Sequence, residues 1–243
     1  MRNIQIIVLG VCIGVATVVS SLILAEGFMQ VMKFTREVIN VTGSAQQDIR
    51  SDLALWNCAF SRRGTDLAGP YKALKDDLAK VKAYLAAKSV AEKEMEIPQV
   101  YTQTLYKKDK DGNDTNEIEG YSLRQHVRVR SQDVDRVARL SRESTELIDQ
   151  GLEFDSSAPD YFYTKLDELK VEILSRATEN ARQRAQNMAH ATGNRIGMMR
   201  SARMGVFQIT PLDSTEVRDY GVNDTSSLEK KVTAVVSVSF AIR

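Results

Sequence analysis

The hydrophobic pattern divides the chain into one uninterrupted apolar stretch and a much longer part in which apolar and polar positions alternate. No ionisable side chain occurs between Ile4 and Ala25. As a helix, this stretch would extend over roughly 33 Å, enough to cross the roughly 30 Å hydrocarbon core of a bilayer. The pattern therefore predicts a transmembrane helix in residues 1–25, followed by a juxtamembrane stalk in residues 26–35.

This stretch has two interpretations, a retained signal anchor and a cleaved signal peptide. A cleaved peptide has a shorter apolar region and a small-x-small cleavage site, whereas bulky Ile23 lies two positions before Ala25. We therefore favour the anchor. Arg2 is the only charged side chain before Glu26, and the positive-inside bias then weakly favours a cytoplasmic N-terminus and an external domain in residues 36–243.

Two glycines in the apolar stretch, Gly10 and Gly14, form a G-x-x-x-G pattern. This pattern allows two membrane helices to approach closely. Glycine is also common in membrane helices in general. Helix packing at these positions is therefore one of two open interpretations.

Alternating and helical spacings predict ten further elements in residues 36–243, in the order ββαββαβαββ. The predicted strands are 36–43, 47–62, 96–106, 119–130, 161–165, 195–209 and 228–242, and the predicted helices are 65–89, 133–150 and 167–192. Adjacent strands between helices favour antiparallel pairing, so the predicted fold class is α+β. No linker divides these residues, and we expect one compact region, with two interleaved lobes as the alternative.

The first predicted helix of this region carries an apolar stripe at steps of four and three residues. Its members are Leu67, Tyr71, Leu74, Leu78, Val81 and Leu85. A coiled coil would use the same spacing, but packing against a sheet explains a stripe of three heptads equally well. We favour packing against a sheet.

The last predicted helix has a small residue at every fourth position. These residues are Ala177, Ala181, Ala185 and Ala189. Four-residue steps drift by only about 40° around a helix, so the alanines form one groove. A neighbouring element can pack closely against such a groove.

One face of the strand predicted at 119–130 carries three arginines, Arg124, Arg128 and Arg130. Their spacing along a strand is roughly 7 and 13 Å. They either pair with carboxylates of a neighbouring strand, helix or subunit, or bind an anion. Pairing is favoured because the chain from Glu26 onward has equal numbers of basic and acidic side chains.

Composition excludes two classes of protein. The whole chain has 33 basic and 32 acidic residues, a net charge of +1. Nucleic-acid binding surfaces concentrate a basic excess, so no nucleic-acid partner is predicted. The hydrophobic fraction of 43% also separates this chain from disordered proteins, which are poor in apolar residues.

Motifs for catalysis are missing from the sequence. Neither G-x-S-x-G nor a glycine-rich phosphate-binding loop occurs, and no cofactor is predicted. His126 and His190 lack a second His or Cys at ligand spacing, which argues against a zinc site. Cys58, between Trp56 and Phe60 on one strand face, is predicted to be a core residue. A hydrolase is the least favoured hypothesis.

An acidic loop at residues 109–117 has two interpretations. An EF-hand needs Asp at position one and Gly at position six, but counting back from Gly112 places Lys107 at position one. Asp111-Gly112 is instead typical of a hairpin turn, which we favour. Weak calcium binding by the clustered oxygens is the alternative.

Several short motifs follow one another over residues 38–242. They are Val41-Thr42-Gly43-Ser44-Ala45, Gly120-Tyr121, Val127-Arg128-Val129, the alanine-rich helix 177–193 with Ile196-Gly197, and the terminal run 232–240. In this order they resemble the SIMPL-domain family of bacterial periplasmic proteins linked to stress tolerance. The resemblance implies an α+β fold, self-association and no established catalytic residue. Members typically have a cleaved signal peptide, whereas this chain is predicted to keep its anchor.

The sequence and the resemblance together predict a non-enzymatic protein that assembles into a homo-oligomeric scaffold or ring. It would cross the bacterial inner membrane once through residues 4–25, with a cytoplasmic N-terminus and a periplasmic C-terminal domain. Its expected partners are the bilayer and further copies of itself, and a role in envelope or oxidative stress tolerance is implied. The second hypothesis is a binding module for an anionic ligand or envelope component that uses the arginine-lined strand face.

Overall fold

A computed structural model describes residues 2–243, apart from the side chains of residues 2–9, 11–12 and 30–36. The helices are α1 (Arg2–Arg36), α2 (Ala68–Ala87), α3 (Val134–Glu143) and α4 (Leu166–Ala191). The strands are β1 (Val38–Arg50), β2 (Leu53–Gly64), β3 (Met95–Glu96), β4 (Tyr101–Lys108), β5 (Asp114–Ser131), β6 (Glu153–Ser156), β7 (Asp160–Phe162), β8 (Ile196–Met204), β9 (Gln208–Pro211), β10 (Val222–Asn223) and β11 (Glu229–Ile242). Antiparallel pairs dominate, so the mixed α+β class predicted from the sequence is confirmed.

Residues 2–25 of the predicted anchor and the predicted stalk lie in α1, which is one continuous helix. Residue 1 lies outside the described part, and so do the side chains of residues 2–9, 11 and 12 of the anchor and 30–35 of the stalk. Within the described part, no helix has the length and apolar character needed to cross a membrane. Gly10 and Gly14 lie on this helix, and a Cβ atom at either position would meet no described atom within 4 Å apart from the backbone of the helix itself.

The chain forms two compact units, each built from separate stretches. Unit 1 comprises Met1–Gln46, Leu169–Phe207 and Thr233–Arg243. Unit 2 comprises Gln47–Glu168 and Gln208–Val232. Three elements, β1, α4 and β11, therefore contribute residues to both units.

Unit 2 contains a six-stranded sheet with α2 and α3 on one face. β5 and β2 form its centre and pair over eleven residues, from Ala54 opposite Ser131 to Gly64 opposite Tyr121. β3 and β4 pair with β5, and β6 and β7 with β2. Because side chains alternate along a strand, one face of both central strands is apolar. Its core includes Trp56, Cys58, Phe60, Val127 and Val129, packed with Leu74, Val81, Leu85, Val137 and Leu140.

The apolar stripe predicted for α2 is partly wrong. Leu67 and Tyr71 are 47% and 49% exposed, whereas Asp77 is buried. The Asp77 carboxylate accepts hydrogen bonds from Arg62 Nε at 2.5 Å and Nη2 at 2.9 Å, and Nη2 also donates to the Gly151 carbonyl at 2.8 Å. A buried charge is tolerated when it is paired and hydrogen-bonded. The helix therefore turns Asp77 inward to meet β2.

A second cluster of charged groups secures the start of α3. Arg136 Nη2 donates to Glu94 Oε1 at 2.7 Å and Oε2 at 3.0 Å, and Ser131 Oγ donates to the same carboxylate at 2.5 Å. Burial alone would raise the pKa of Glu94, but the hydrogen bonds from Ser131 and Ala91 and the charge of Arg136 outweigh it and lower that pKa. The ionised carboxylate therefore stabilises unit 2.

Unit 1 packs α4 directly on β1. The buried residues of α4 include Ala177, Ala181, Ala185 and Ala189. A Cβ atom at Gly43 would lie 2.2 Å from the Ala177 oxygen and 2.4 Å from the Ala181 nitrogen, so only glycine fits the observed spacing. Asn180 Oδ1 also accepts a hydrogen bond from the Ser44 backbone at 3.2 Å. β1 thus lies against the alanine groove of the helix.

Several element boundaries differ from the sequence-based prediction. β1 continues to Arg50, and only Ser51 and Asp52 separate it from β2. The strand predicted at 96–106 is two strands, since Pro98 lacks the amide that a continuous ladder needs. The strand predicted at 195–209 is also divided, and β6 and β10 were not predicted at all. The helix predicted at 133–150 ends as a 3₁₀ turn at Ser144–Leu147.

Candidate functional site

The three arginines of β5 lie on the sheet face of unit 2 that is opposite α2 and α3. Leu123, Val127 and Val129 point into the core, and the alternate positions 124, 126, 128 and 130 point away from it. In the register with β2, Arg128 is opposite Asn57 and Arg130 is opposite Leu55. The arginine row therefore belongs to the face of the sheet that these two helices leave open.

Two of the three arginines have an acidic partner. Arg124 Nη2 lies 2.7 Å from Asp155 on β6, and Arg128 Nη1 lies 3.7 Å from Glu96 on β3. Both pairs are exposed, and such pairs contribute about 0–1 kcal/mol. Among the side chains that the structure describes, none forms an ion pair or a hydrogen bond with the guanidinium of Arg130. Intramolecular pairing, the interpretation favoured by the charge balance, therefore accounts for Arg124 and Arg128 and leaves Arg130 unexplained.

A groove of about 580 Å³ follows this row, and we call it the arginine groove. Its lining residues are Leu55, Asn57, Glu96, His126, Arg128, Arg130 and Ser157. Arg124 is not among them, because its side chain is directed to Asp155. The structure thus brings Arg128 and Arg130 together with His126 and separates them from Arg124.

A different surface, on unit 1, combines an open strand edge with apolar side chains. Among the described strands, β8 pairs with β11 and with no other. We call the side of β8 that is not paired with β11, together with its exposed apolar side chains, the β8 edge. The large apolar side chains exposed on β8 and just after it are Met198, Met199, Met204 and Val206. Met199 lies opposite Phe240 and Met204 opposite Val236. The edge therefore presents free backbone groups beside apolar side chains.

A buried lysine in unit 2 was missed by the sequence analysis. Lys230 Nζ donates to the backbone oxygens of Tyr161 at 2.6 Å and Asp224 at 2.5 Å. Burial lowers the pKa of Lys230, and the carboxylates of Asp224 and Asp160 oppose that shift. Lys230 is two positions before Val232 on β11, so the alternation of that strand already places both side chains on the same, inward face. Its bonds to backbone oxygens give it a structural role.

The cysteine and histidines do not form a catalytic arrangement in the described part of the chain. Cys58 is buried, and its Sγ donates to the Val127 oxygen at 3.7 Å. Burial raises the pKa of Cys58 to about 12, so the nucleophilic thiolate is scarce at neutral pH. His126 lines the arginine groove, whereas His190 lies near the end of α4. Among the side chains that the structure describes, no group of three or more His, Cys, Asp or Glu residues is placed to hold a metal ion.

The acidic loop at residues 109–117 includes the turn of the β4–β5 hairpin. Asp109 Oδ1 accepts hydrogen bonds from the backbone amides of Asp111 and Asn113, each at 2.9 Å. The hydrogen bond from the Asn113 amide is the main cause that lowers the pKa of Asp109. Gly112 has a φ of +85°, which suits glycine in a tight turn. The Asp109 carboxylate is thus engaged by the turn itself.

Comparison with known families places the chain. The family model SIMPL, described as a protein of unknown function (DUF541), matches residues 39–240. No curated protein matches the chain. The matched range begins in β1 and ends in β11, so it contains the arginine groove, the β8 edge and the alanine groove but not α1. The chain therefore belongs to the SIMPL family.

Proposed function

We propose that the protein is a non-enzymatic scaffold, anchored in the bacterial inner membrane, that self-assembles in the periplasm through the β8 edge. The β8 edge carries this proposal. An unpaired strand edge offers a row of backbone donors and acceptors to a second strand. Met198, Met199 and Met204 are 62%, 55% and 54% exposed, and pairing with another copy would remove part of this apolar surface from water.

The geometry of the edge is compatible with two kinds of assembly. Contact between two identical edges would close a dimer, whereas contact with a different surface of the next copy would continue into a ring or filament. The scaffold or ring expected from the sequence corresponds to the second kind. Methionine side chains are flexible and adapt to different partners, so they suit either contact.

The apolar sequence of residues 4–25 supports the anchoring part of the proposal. The apolar run of residues 4–25 lies in one helix, and Ile13, Val18 and Leu24 are 57%, 59% and 70% exposed on it. A membrane tether would confine copies to two dimensions and raise their effective concentration, so a modest edge contact would suffice for assembly. The periplasmic location and the role in stress tolerance rest on the resemblance described above.

The state of the cysteine supports the non-enzymatic part. Cys58 is buried in the core, and its raised pKa keeps the thiol protonated. The buried Lys230 likewise donates to backbone oxygens instead of facing a pocket. Neither side chain is available as a nucleophile.

Light scattering of the full chain in detergent tests the proposal. We expect the mass of an oligomer, and we expect Met199→Lys combined with Met204→Lys to lower it because two buried ammonium groups would oppose edge pairing. Val217→Lys is the matched control, since Val217 is an apolar residue that is 76% exposed outside the edge. A monomer at every concentration would exclude self-assembly. An oligomer unaffected by the double substitution would exclude the β8 edge as its contact.

A further inference from the structure

The charges of the arginine groove in unit 2 do not balance. Arg128 and Arg130 contribute two guanidinium groups and Glu96 contributes one carboxylate, which leaves one positive charge in excess. Two other carboxylates of the same face act on other cations: Asp155 pairs with Arg124 at 2.7 Å, and the charge of Asp160 acts on Lys230. The excess charge therefore remains in the groove.

The donors of the two arginines are available to a ligand. Arg128 and Glu96 approach to 3.7 Å, which is longer than a hydrogen bond. Arg128 and Arg130 are two positions apart on one strand face, a separation of roughly 7 Å that two long side chains can close around one acid group. Guanidinium groups match the geometry of such a group with paired donors. Asn57, opposite Arg128, adds an amide to the same wall.

The size and the mixed polarity of the arginine groove indicate an organic ligand instead of a bare ion. The groove volume of about 580 Å³ is typical of small-molecule sites, which run from about 300 to 1,000 Å³. Leu55, opposite Arg130, contributes an apolar side chain to the lining. An acid group bound by the arginines would leave the rest of the groove for an apolar body over Leu55.

From this combination we propose that the arginine groove binds a small organic monoanion. Arg128 and Arg130 hold its acid group, Asn57 and Ser157 offer further polar contacts, and Leu55 contacts its apolar part. One negative charge matches the one positive charge in excess. The inference is independent of the proposed assembly, since it uses no residue of the β8 edge.

Calorimetric titration of the full chain in detergent with benzoate tests the site, with benzamide as a neutral ligand of the same shape. We expect benzoate to bind with a Kd on the order of 1 mM and benzamide not to bind. Arg130→Gln should weaken benzoate at least about tenfold, as loss of a charged hydrogen-bonding partner does. Arg139→Gln is the control, since Arg139 is exposed on α3, on the other side of the sheet from the groove. It should change the Kd by less than about twofold.

Four results of the titrations would overturn the proposal. They are no benzoate binding, equal binding of benzamide, equal losses in the two variants, and competition by inorganic phosphate as strong as that by benzoate, which would mean that the groove recognises charge alone. Circular dichroism establishes that Arg130→Gln is folded. Light scattering provides a further discriminating measurement: a lower mass for Arg130→Gln would identify the groove as a contact between copies and likewise overturn the proposal.

Discussion

The close contact between β1 and α4 predicts that Gly43→Ala strongly destabilises unit 1. The new Cβ atom would lie 2.2 Å from the Ala177 oxygen and 2.7 Å from the Ala181 Cβ. Atoms in contact keep about 3.5–4.0 Å, so the helix would have to withdraw by roughly 1.3–1.8 Å from its present position. A gap of only about 0.5–1 Å already forfeits a quarter to a half of each contact's energy. Overpacking typically costs about 1–3 kcal/mol. We expect the upper end, about 3 kcal/mol, because the obstructing atoms belong largely to the helix backbone and have no rotamer that relieves the clash.

Urea denaturation followed by far-ultraviolet circular dichroism measures this loss. With a slope of about 1–3 kcal/mol per molar urea, the midpoint of unit 1 should fall by about 1–3 M. Gly205→Ala is the matched control in the same unit, since its Cβ would lie 3.4 Å from the Val235 oxygen, an ordinary contact. The fluorescence of Trp56, the only tryptophan, follows unit 2 and serves as an internal reference. Equal midpoints for the two alanine variants would refute the reasoning.

Three further predictions concern unit 2. Asp77→Asn should lower the free energy of unfolding by about 3 kcal/mol, because it leaves the guanidinium of Arg62 without its buried partner. Asp76→Asn, at an exposed position, should change the free energy of unfolding little. Urea denaturation followed by tryptophan fluorescence compares the two variants. The chain has one other cysteine, Cys12, which is replaced by serine for the second test. Cys58 should then resist iodoacetamide at pH 8 until the protein unfolds, since a pKa of about 12 leaves about one thiolate in 10,000. Labelling at the same rate with and without urea would contradict its burial. The pKa of Glu94 is lowered below its ordinary value of 4.5, so its ionised form stabilises the folded state above that pH, and this stabilisation is lost as the pH falls through the lower pKa of the folded state. Glu94→Gln should therefore flatten the profile of urea midpoint against pH in this acidic range. Parallel profiles for the variant and the original protein would contradict the assignment.

Features with a local cause were predictable from the sequence. The alternation of β5 indicated which side of the strand carries the arginines, and the four-residue spacing of Ala177 and its neighbours indicated a groove for close packing. The boundary between β1 and β2 was not predictable in this way, because Ser51 and Asp52 interrupt the strands without a glycine or proline. Alternation continues across such a break, so the pattern assigned Gln47–Arg50 to the wrong strand.

Features that depend on distant pairing could not be read from spacing. Asp77 is buried because Arg62, on a different element, reaches it, and no periodicity of α2 indicates that exception. The arginine row was visible in the sequence, but its division into a paired Arg124 and an unpaired Arg130 depends on where β3 and β6 place their carboxylates. The groove therefore depends on how the strands of the sheet pair. The sequence indicated only the arginines of β5 that line it.

The interleaved order of the two units has a consequence for the growing chain. All six strands of the sheet in unit 2 have been made once residue 168 has been synthesised, whereas the sheet of unit 1 needs the strand made by Thr233–Arg243. Until those eleven residues have been synthesised, β1 and β8 lack the strand with which both of them pair. A chaperone that shields apolar helices would thus meet this protein late in its biogenesis, and a nonsense codon near position 232 would yield a finished unit 2 attached to an unfinished unit 1.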